Sequence, residues 1–461
     1  MYIKTFMSLA IHCIDDFLFG RCPRPVQCGK QLEIGAGMVV PEINFTLPAI
    51  EITEDNWEEI CRQYRQMGEE VCRRAVELEI PGLLMELETL PPMTVRPAWG
   101  IEITRILAET INRYHERHGI RVALRLTPND TRDHVRPPLM RRGVYWDGMV
   151  EMFQAAGEAG ADLLAIESTG GKEICDEALT EADLRTVVFA LGVLAARDMQ
   201  FLWKEMVGAC RQNGVVPSGD SACGFANTAM ILADQKYIPK VFAAVIRAAS
   251  VPRSLIAFEM GAVGPGKDCA YEGPFIKAIT GAPISMEGRT AACAHLSAIG
   301  NIAQAVCDCW SNESVQNVRL LSAYAPVVSL EQLAYDCRLM NTAKSRSLDE
   351  ARLLRDWLVE SDAARDPQAY ILRPDVVLRL SQKIMEEESA YRRTVRAVRE
   401  AIGELKEGHR AGALRLAVRE VRWLERLEKE AAILPEDEER FLEEILKTPA
   451  AEKFMLQEYE F

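Results

Sequence analysis

From residue 32 to about 300 the chain repeats one unit: a short β-rich apolar run, a polar or Gly-rich loop, then an amphipathic helix. The runs cover residues 38–44, 82–88, 122–127, 162–167, 187–193, 215–219, 254–259 and 284–287. The clearest intervening helix carries Trp57, Ile60, Tyr64, Met67, Val71, Ala75 and Leu78 at three- and four-residue spacing, which is one helical face. Strands alternating with helices imply parallel pairing, and eight of them predict an α/β fold closed as a (β/α)8 TIM-type barrel. An open doubly wound sheet is the competing arrangement. The ends of the runs favour the barrel, since Glu88, Arg125, Glu167, Asp220, Glu259 and Glu287 stand at or near them. Charge buried at a strand end is costly unless paired or used, and a barrel gathers such ends at one mouth.

From about Asn312 the alternation stops. Val377, Leu380, Ile384, Tyr391, Val395, Val398, Ile402 and Leu405 form one helical stripe, and Leu414, Val418, Val421 and Leu427 a second after Gly408. Gly408 and Pro435 interrupt the run, against a long coiled coil. The expected division is residues 1–311 for a catalytic barrel with its lead-in and 312–461 for an all-helical extension that packs on the barrel or a second subunit.

The net charge of −14, with Lys and Arg dispersed along the chain, argues against nucleic acid as a partner. Thirteen cysteines are many, and the odd count leaves at least one unpaired. The first fourteen residues have neither a basic cluster nor a small-residue cleavage site. No apolar run is expected to span a bilayer. The expected setting is a reducing cytoplasm, where cysteines persist as thiols and some bind metal.

Three loops concentrate the candidate chemistry. Asp162-Leu-Leu-Ala-Ile-Glu-Ser-Thr-Gly-Gly171 delivers Glu167, Ser218-Gly-Asp-Ser-Ala-Cys-Gly-Phe-Ala-Asn227 delivers Cys223, and Gly261-Ala-Val-Gly-Pro-Gly-Lys-Asp-Cys269 delivers Cys269. A carboxylate and two thiolates suit a borderline-soft ion such as zinc, and three protein ligands leave a fourth position open. Spacing alone is a weak signal, because a lone Cys is more often a small buried hydrophobe and Glu167 reads equally as a paired core carboxylate. Rival ligand pairs are Cys293 with His295 and Cys307 with Cys309, the latter a poor chelate if helical. His115 and His118 fall late in a polar helix, a solvated setting. Gly261 to Lys267 has the spacing of a phosphate-binding loop, but Asp268 stands where the Mg²⁺-binding Ser or Thr belongs. Its glycines are better read as a tight turn aiming Cys269 inward.

At these residues the sequence resembles the zinc-containing methanol:corrinoid methyltransferase subunit of methanogens and some acetogens. The likeness runs from Leu32-Glu-Ile-Gly-Ala-Gly37 and Pro41-Glu-Ile-Asn44 to the helical tail. Its most specific pieces are Glu167-Ser-Thr-Gly-Gly-Lys-Glu173, Cys223-x-x-Ala-Asn-Thr-Ala-Met230 and Ala262-Val-Gly-Pro-Gly-Lys-Asp-Cys269. Cys307-Asp-Cys-Trp-Ser-Asn-Glu-Ser-Val315, Leu333-Ala-Tyr-Asp-Cys337 and Asp366-Pro-Gln-Ala-Tyr370 extend it. The resemblance implies a barrel with an added helical segment, one zinc per chain on Glu167, Cys223 and Cys269, and methanol as methyl donor. It also implies a corrinoid-carrying partner subunit, with a homodimer core inside a hetero-oligomer. The chain has no Asp-x-His-x-x-Gly corrinoid signature, so the corrinoid is expected on that partner. Two thiolates and a carboxylate over-neutralise Zn²⁺; Asp220 and Asp268 are the candidate acids to compensate, or else hydrogen-bond partners behind the ligands. The alternatives are the same reaction on another small methylated or methoxylated compound, and a non-catalytic zinc-bound scaffold for corrinoid proteins.

Overall fold

A hairpin precedes the barrel in the computed structural model, which describes residues 6–46, 50–267, 269–288, 298–315 and 318–461. β1 (Arg21–Cys28) and β2 (Leu32–Ala36) pair antiparallel. Seven parallel strands follow: β3 (Val40–Thr46), β4 (Leu83–Glu88), β5 (Val122–Thr127), β6 (Leu163–Ile166), β7 (Val216–Asp220), β8 (Ser285–Glu287) and β9 (Cys309–Val315). Their order is β7-β6-β5-β4-β3-β9-β8. An irregular segment, residues 262–267, occupies the eighth place. Val263 N and Gly264 N donate to Pro217 O and Ser218 O of β7, each at 2.9 Å. On its other side Gly266 N donates to Pro283 O (3.0 Å) and Ser285 N to Gly266 O (2.9 Å), which closes the ring onto β8.

The two-residue period of a strand sorts side chains between the helices and the ring interior. Leu83, Met85, Leu87, Val122, Leu124, Leu126, Leu164 and Ile166 join the outer apolar core. The opposite faces form tiers inside the ring. Val40, Leu84, Ala123, Leu163 and Cys309 make an apolar lowest tier, against which Val26, Cys28, Leu32 and Ile34 of the hairpin pack. One step up the same strands come Glu42, Glu86 and Arg125, then Asn44, Glu88, Thr127 and Glu167. Polarity therefore rises toward the C-terminal ends of the strands.

Two expected strands are helices. Residues 187–193 lie in Leu184–Phe189 and the π-helical turn Ala190–Ala195 that continues it, and 254–259 lie in Val251–Met260. Every residue of Ala190–Ala195 is buried, as is every residue of Val251–Met260 except Glu259. A helix enclosed on all sides shows no polar face, so its β-branched residues read as a strand. Glu259 accordingly does not reach the mouth; Arg393 donates to it at 2.8 Å. The ring still reaches eight places because residues 262–267 and β9 take the two vacated ones.

The expected division after residue 311 falls inside β9. The helix Ala325–Arg346 then packs on β3 and β9, in the position of the barrel's last helix. The remaining helices form the extension; the longest, Ala390–Arg410, lies on Lys240–Ala249 and on the π-helical turn. Two stretches, Leu184–Asn213 and Lys240–Met260, do have the length and apolar composition to cross a membrane, contrary to expectation. They are core elements: 78% and 100% of their apolar windows are buried within the molecule. All twelve described cysteines are free thiols.

Candidate metal centre

Glu167 directly follows β6 and continues its inward alternation. Cys223 begins a π-helical turn, Cys223–Asn227, a widened geometry that recurs at functional sites. Asn227, four residues on, points its amide Nδ2 at Cys223 Sγ (3.7 Å). Cys269 follows the irregular closing segment. The backbone N–H groups of Cys269 and Ala270 donate to Ser221 Oγ at 3.2 and 3.3 Å, and that hydroxyl lies 3.6 Å from Cys269 Sγ. Cys269 Sγ donates to Glu167 Oε1 at 3.3 Å. One ligand atom from each of Glu167, Cys223 and Cys269 lies within 4.8 Å of the other two.

Glu167 and Cys223 face a cavity of about 620 Å³ at the C-terminal ends of the strands, with Glu88, Asp130 and Lys172 also on its wall. The donor set fits a borderline-soft cation: three ligands converge, and the cavity leaves a further position open. Electrostatics agree. The hydrogen bond with Cys269 favours the Cys223 thiolate, but burial and the charges of Glu167 and Glu287 outweigh it and push this thiol up to about 12. Burial, Cys223 and the same carboxylates hold Cys269 well above the ordinary thiol range. A cation between them is what would turn both into thiolates, with release of their protons.

Lys267 enters the interior beside this cluster. Its Nζ stands 2.9 Å from Glu88 Oε2, 3.0 Å from Glu167 Oε1 and 3.2 Å from Glu86 Oε1. Burial opposes its charge, yet Glu167, Glu86 and Glu88 hold its pKa well above the usual lysine value. In the tier below, Arg125 stands 3.5 Å from Glu42, which also accepts a hydrogen bond from Ser285.

Asp220 is buried behind the cluster. Arg253 donates to its Oδ1 at 2.9 Å, Trp203 Nε1 to its Oδ2 at 3.2 Å, and the backbone N of Ser168 to Oδ1 at 3.4 Å. Its geometry braces the residue after Glu167, with both oxygens engaged. Asp268, Cys293 and His295 lie outside the described residues. Cys309 sits in the lowest tier and Cys307 just before it, so that rival pair is at the far end of the barrel. His115 Nδ1 is 2.9 Å from Ile120 O, and His118 is exposed.

Sequence reasoning gave Lys267 no role, although three interior acids needed a cation. It also missed Glu272, whose Oε1 accepts from Ala222 N (2.6 Å) and Ser254 Oγ (2.8 Å) and so fixes the backbone beside Cys223. No local pattern marks Glu272.

A βα barrel with a donor cluster and an open cavity at the C-terminal mouth has the layout of a barrel enzyme's active site. The model of the methanol-cobalamin methyltransferase B subunit family matches residues 3–460, and the chain belongs to that family. It is 38% identical over 450 residues to the methanol–corrinoid protein co-methyltransferase of Methanosarcina barkeri (strain Fusaro / DSM 804), covering 97% of this chain and 96% of that one. It is also similar to a chain in the crystal structure of the methanol:cobalamin methyltransferase complex MtaBC from Methanosarcina barkeri. The TM-score is 0.93 at 36% identity, over 99% of this chain and 100% of the other.

Proposed function

We propose that this chain holds one zinc ion on Glu167, Cys223 and Cys269 and there activates methanol for methyl transfer to Co(I) of a corrinoid carried by a separate protein. The reaction class follows from the family to which the chain belongs. The observation that carries the site is the convergence of three donors from three separate loops within 4.8 Å, beside an open cavity. Zinc bound there supplies a Lewis acid that draws charge from the oxygen of methanol, a poor leaving group by itself.

The chain's own residues prepare that chemistry. Ser221 and Asn227 orient the two sulfurs, and Glu272 and Asp220 fix the backbone behind Cys223 and Glu167. The hairpin and the apolar lowest tier keep water from entering through the floor. The mouth is where the corrinoid reaches the methyl carbon. The assembly we propose is a homodimer core with the corrinoid protein bound to it, working in the cytoplasm, where the thiols stay reduced.

The test combines metal analysis with turnover. Purified protein is expected to hold about one zinc per chain and to methylate added Co(I) corrinoid from methanol. Cys223→Ala and Cys269→Ala are expected to lose most of the zinc and the transfer while remaining folded. Full zinc in both variants would move the site elsewhere. Methyl transfer from methanol to a thiol by this polypeptide alone would remove the corrinoid partner from the scheme.

A further inference from the structure

Lys267 has more partners than its burial requires. Its side chain is 5% exposed, and burying an ammonium is costly unless it is paired. Glu86 and Glu88, one tier apart on the same strand, already supply two acceptors at 3.2 and 2.9 Å. The third contact, 3.0 Å to Glu167 Oε1, falls on the oxygen that also accepts the Cys269 thiol. The cation is thus joined directly to the donor set.

The charge count gives that contact a purpose. One carboxylate and two thiolates around a divalent ion leave one surplus negative charge, which blunts the pull of the ion on any oxygen it binds. An ammonium held 3.0 Å from one ligand oxygen offsets part of that surplus, although it shares its charge with Glu86 and Glu88. Arg125 is farther down the ring, paired with Glu42, and Arg253 is taken by Asp220. Among the described residues, Lys267 is the cation placed on a ligand.

We propose that Lys267 is a positioning residue that draws charge off Glu167, loosening the hold of the donor set on its metal and leaving that metal more electrophilic. The inference rests on the metal site proposed above. It implies opposite movements that a packing role would not produce. In Lys267→Met, zinc is expected to bind about tenfold tighter or more in chelator competition, because a charge a few ångströms away is removed. Methyl transfer at saturating zinc is expected to fall about tenfold or more. Lys267→Arg is expected to return both toward the wild type.

Should Lys267→Met not fold, Lys267→Gln removes the same single charge while keeping an N–H donor for the carboxylates, and is read the same way. Zinc affinity equal to or weaker than wild type in whichever of these variants folds would overturn the role. Unchanged transfer with tighter zinc would overturn it as well. A wild-type protein that holds no zinc in the same chelator assay would instead overturn the metal-site reading, and this inference with it.

Discussion

Near the N-terminal ends of the strands a buried lysine, Lys277, has its donors matched, whereas at the C-terminal end a second buried lysine, Lys267, faces more acids than it can balance. Lys277 has a fully buried side chain, and its ammonium donates to Leu18 O (2.9 Å), Val306 O (2.7 Å) and Asp308 Oδ1 (2.9 Å). The other oxygen of Asp308 accepts from Ile284 N at 2.9 Å. One ammonium, three acceptors and one carboxylate make a closed account of donors and charge. Lys267 is nearly as buried but meets Glu86, Glu88 and Glu167. The same ion-pair chemistry therefore serves two ends differently. Where the charges balance it locks the fold, and where acids are in surplus it leaves room for a further cation.

The sharpest way to break this contrast is Glu167→Gln. The fold is expected to survive, because neighbouring residues of β6 carry the packing, while zinc content drops and methyl transfer slows on the order of 10³-fold, a barrier change of ~4 kcal/mol. Thermal unfolding, zinc content and transfer rate on one preparation decide it. A variant that melts earlier yet keeps its zinc and rate would make Glu167 a structural carboxylate. At the other end, Lys277→Met strands Asp308 and is expected to lose ~3–4 kcal/mol in denaturant unfolding, with zinc per folded chain unchanged. Zinc loss in that variant would erase the distinction between the two ends. Ile34→Ala, in the hairpin, is expected to cost roughly 2–3 kcal/mol and again to spare the zinc. No loss of stability would show that the hairpin does not hold the floor.

The smallest effect is a dependence on pH. Burial raises the Glu42 carboxyl, Arg125 opposes and Glu86 reinforces, and the outcome is about 7 against an ordinary 4.5. The folded chain thus binds more protons than the unfolded chain between these values, so this contribution to stability is full below pH 4.5 and lost as pH rises through 7. Glu42→Gln cannot titrate. Between pH 5 and 8 the wild type is expected to lose ~2 kcal/mol relative to the variant in parallel unfolding curves. Parallel profiles would mean that Glu42 is ionised throughout and fully matched by Arg125.

What the sequence disclosed follows from where each segment faces. β3, β4, β5, β6, β7 and β8 were legible because apolar runs bounded by loops mark strands wedged between helices and interior. β9 was not, since Cys309-Trp-Ser-Asn-Glu-Ser-Val315 carries polar side chains into a polar ring and lacks the apolar signal. The closing segment was hidden for the opposite reason: Gly261, Gly264 and Gly266 suggest a loop, and it is a loop that occupies a strand's place. The hairpin carries Pro23 and Pro25 inside β1, which argue against a strand until one sees that β1 pairs with β2 alone. At the site, Glu167 was expected as a strand-end acid, and its union with Cys223 and Cys269 was a weak candidate from residue type until the resemblance strengthened it. No spacing rule joins residues 56 and 46 positions apart, as these are, until the ring brings their loops together.

The closed floor also dictates traffic. On the site proposed above, methanol and the corrin of the partner would both approach through the cavity above Glu167 and Cys223, the opening that the described residues form beside the donor set. A doorway used by a macrocycle cannot pass a small alcohol at the same moment. On the proposed site the alcohol would be seated before the cobalt arrives, and the product would leave after the methylated corrin has withdrawn. A shared opening would turn these encounters into a queue.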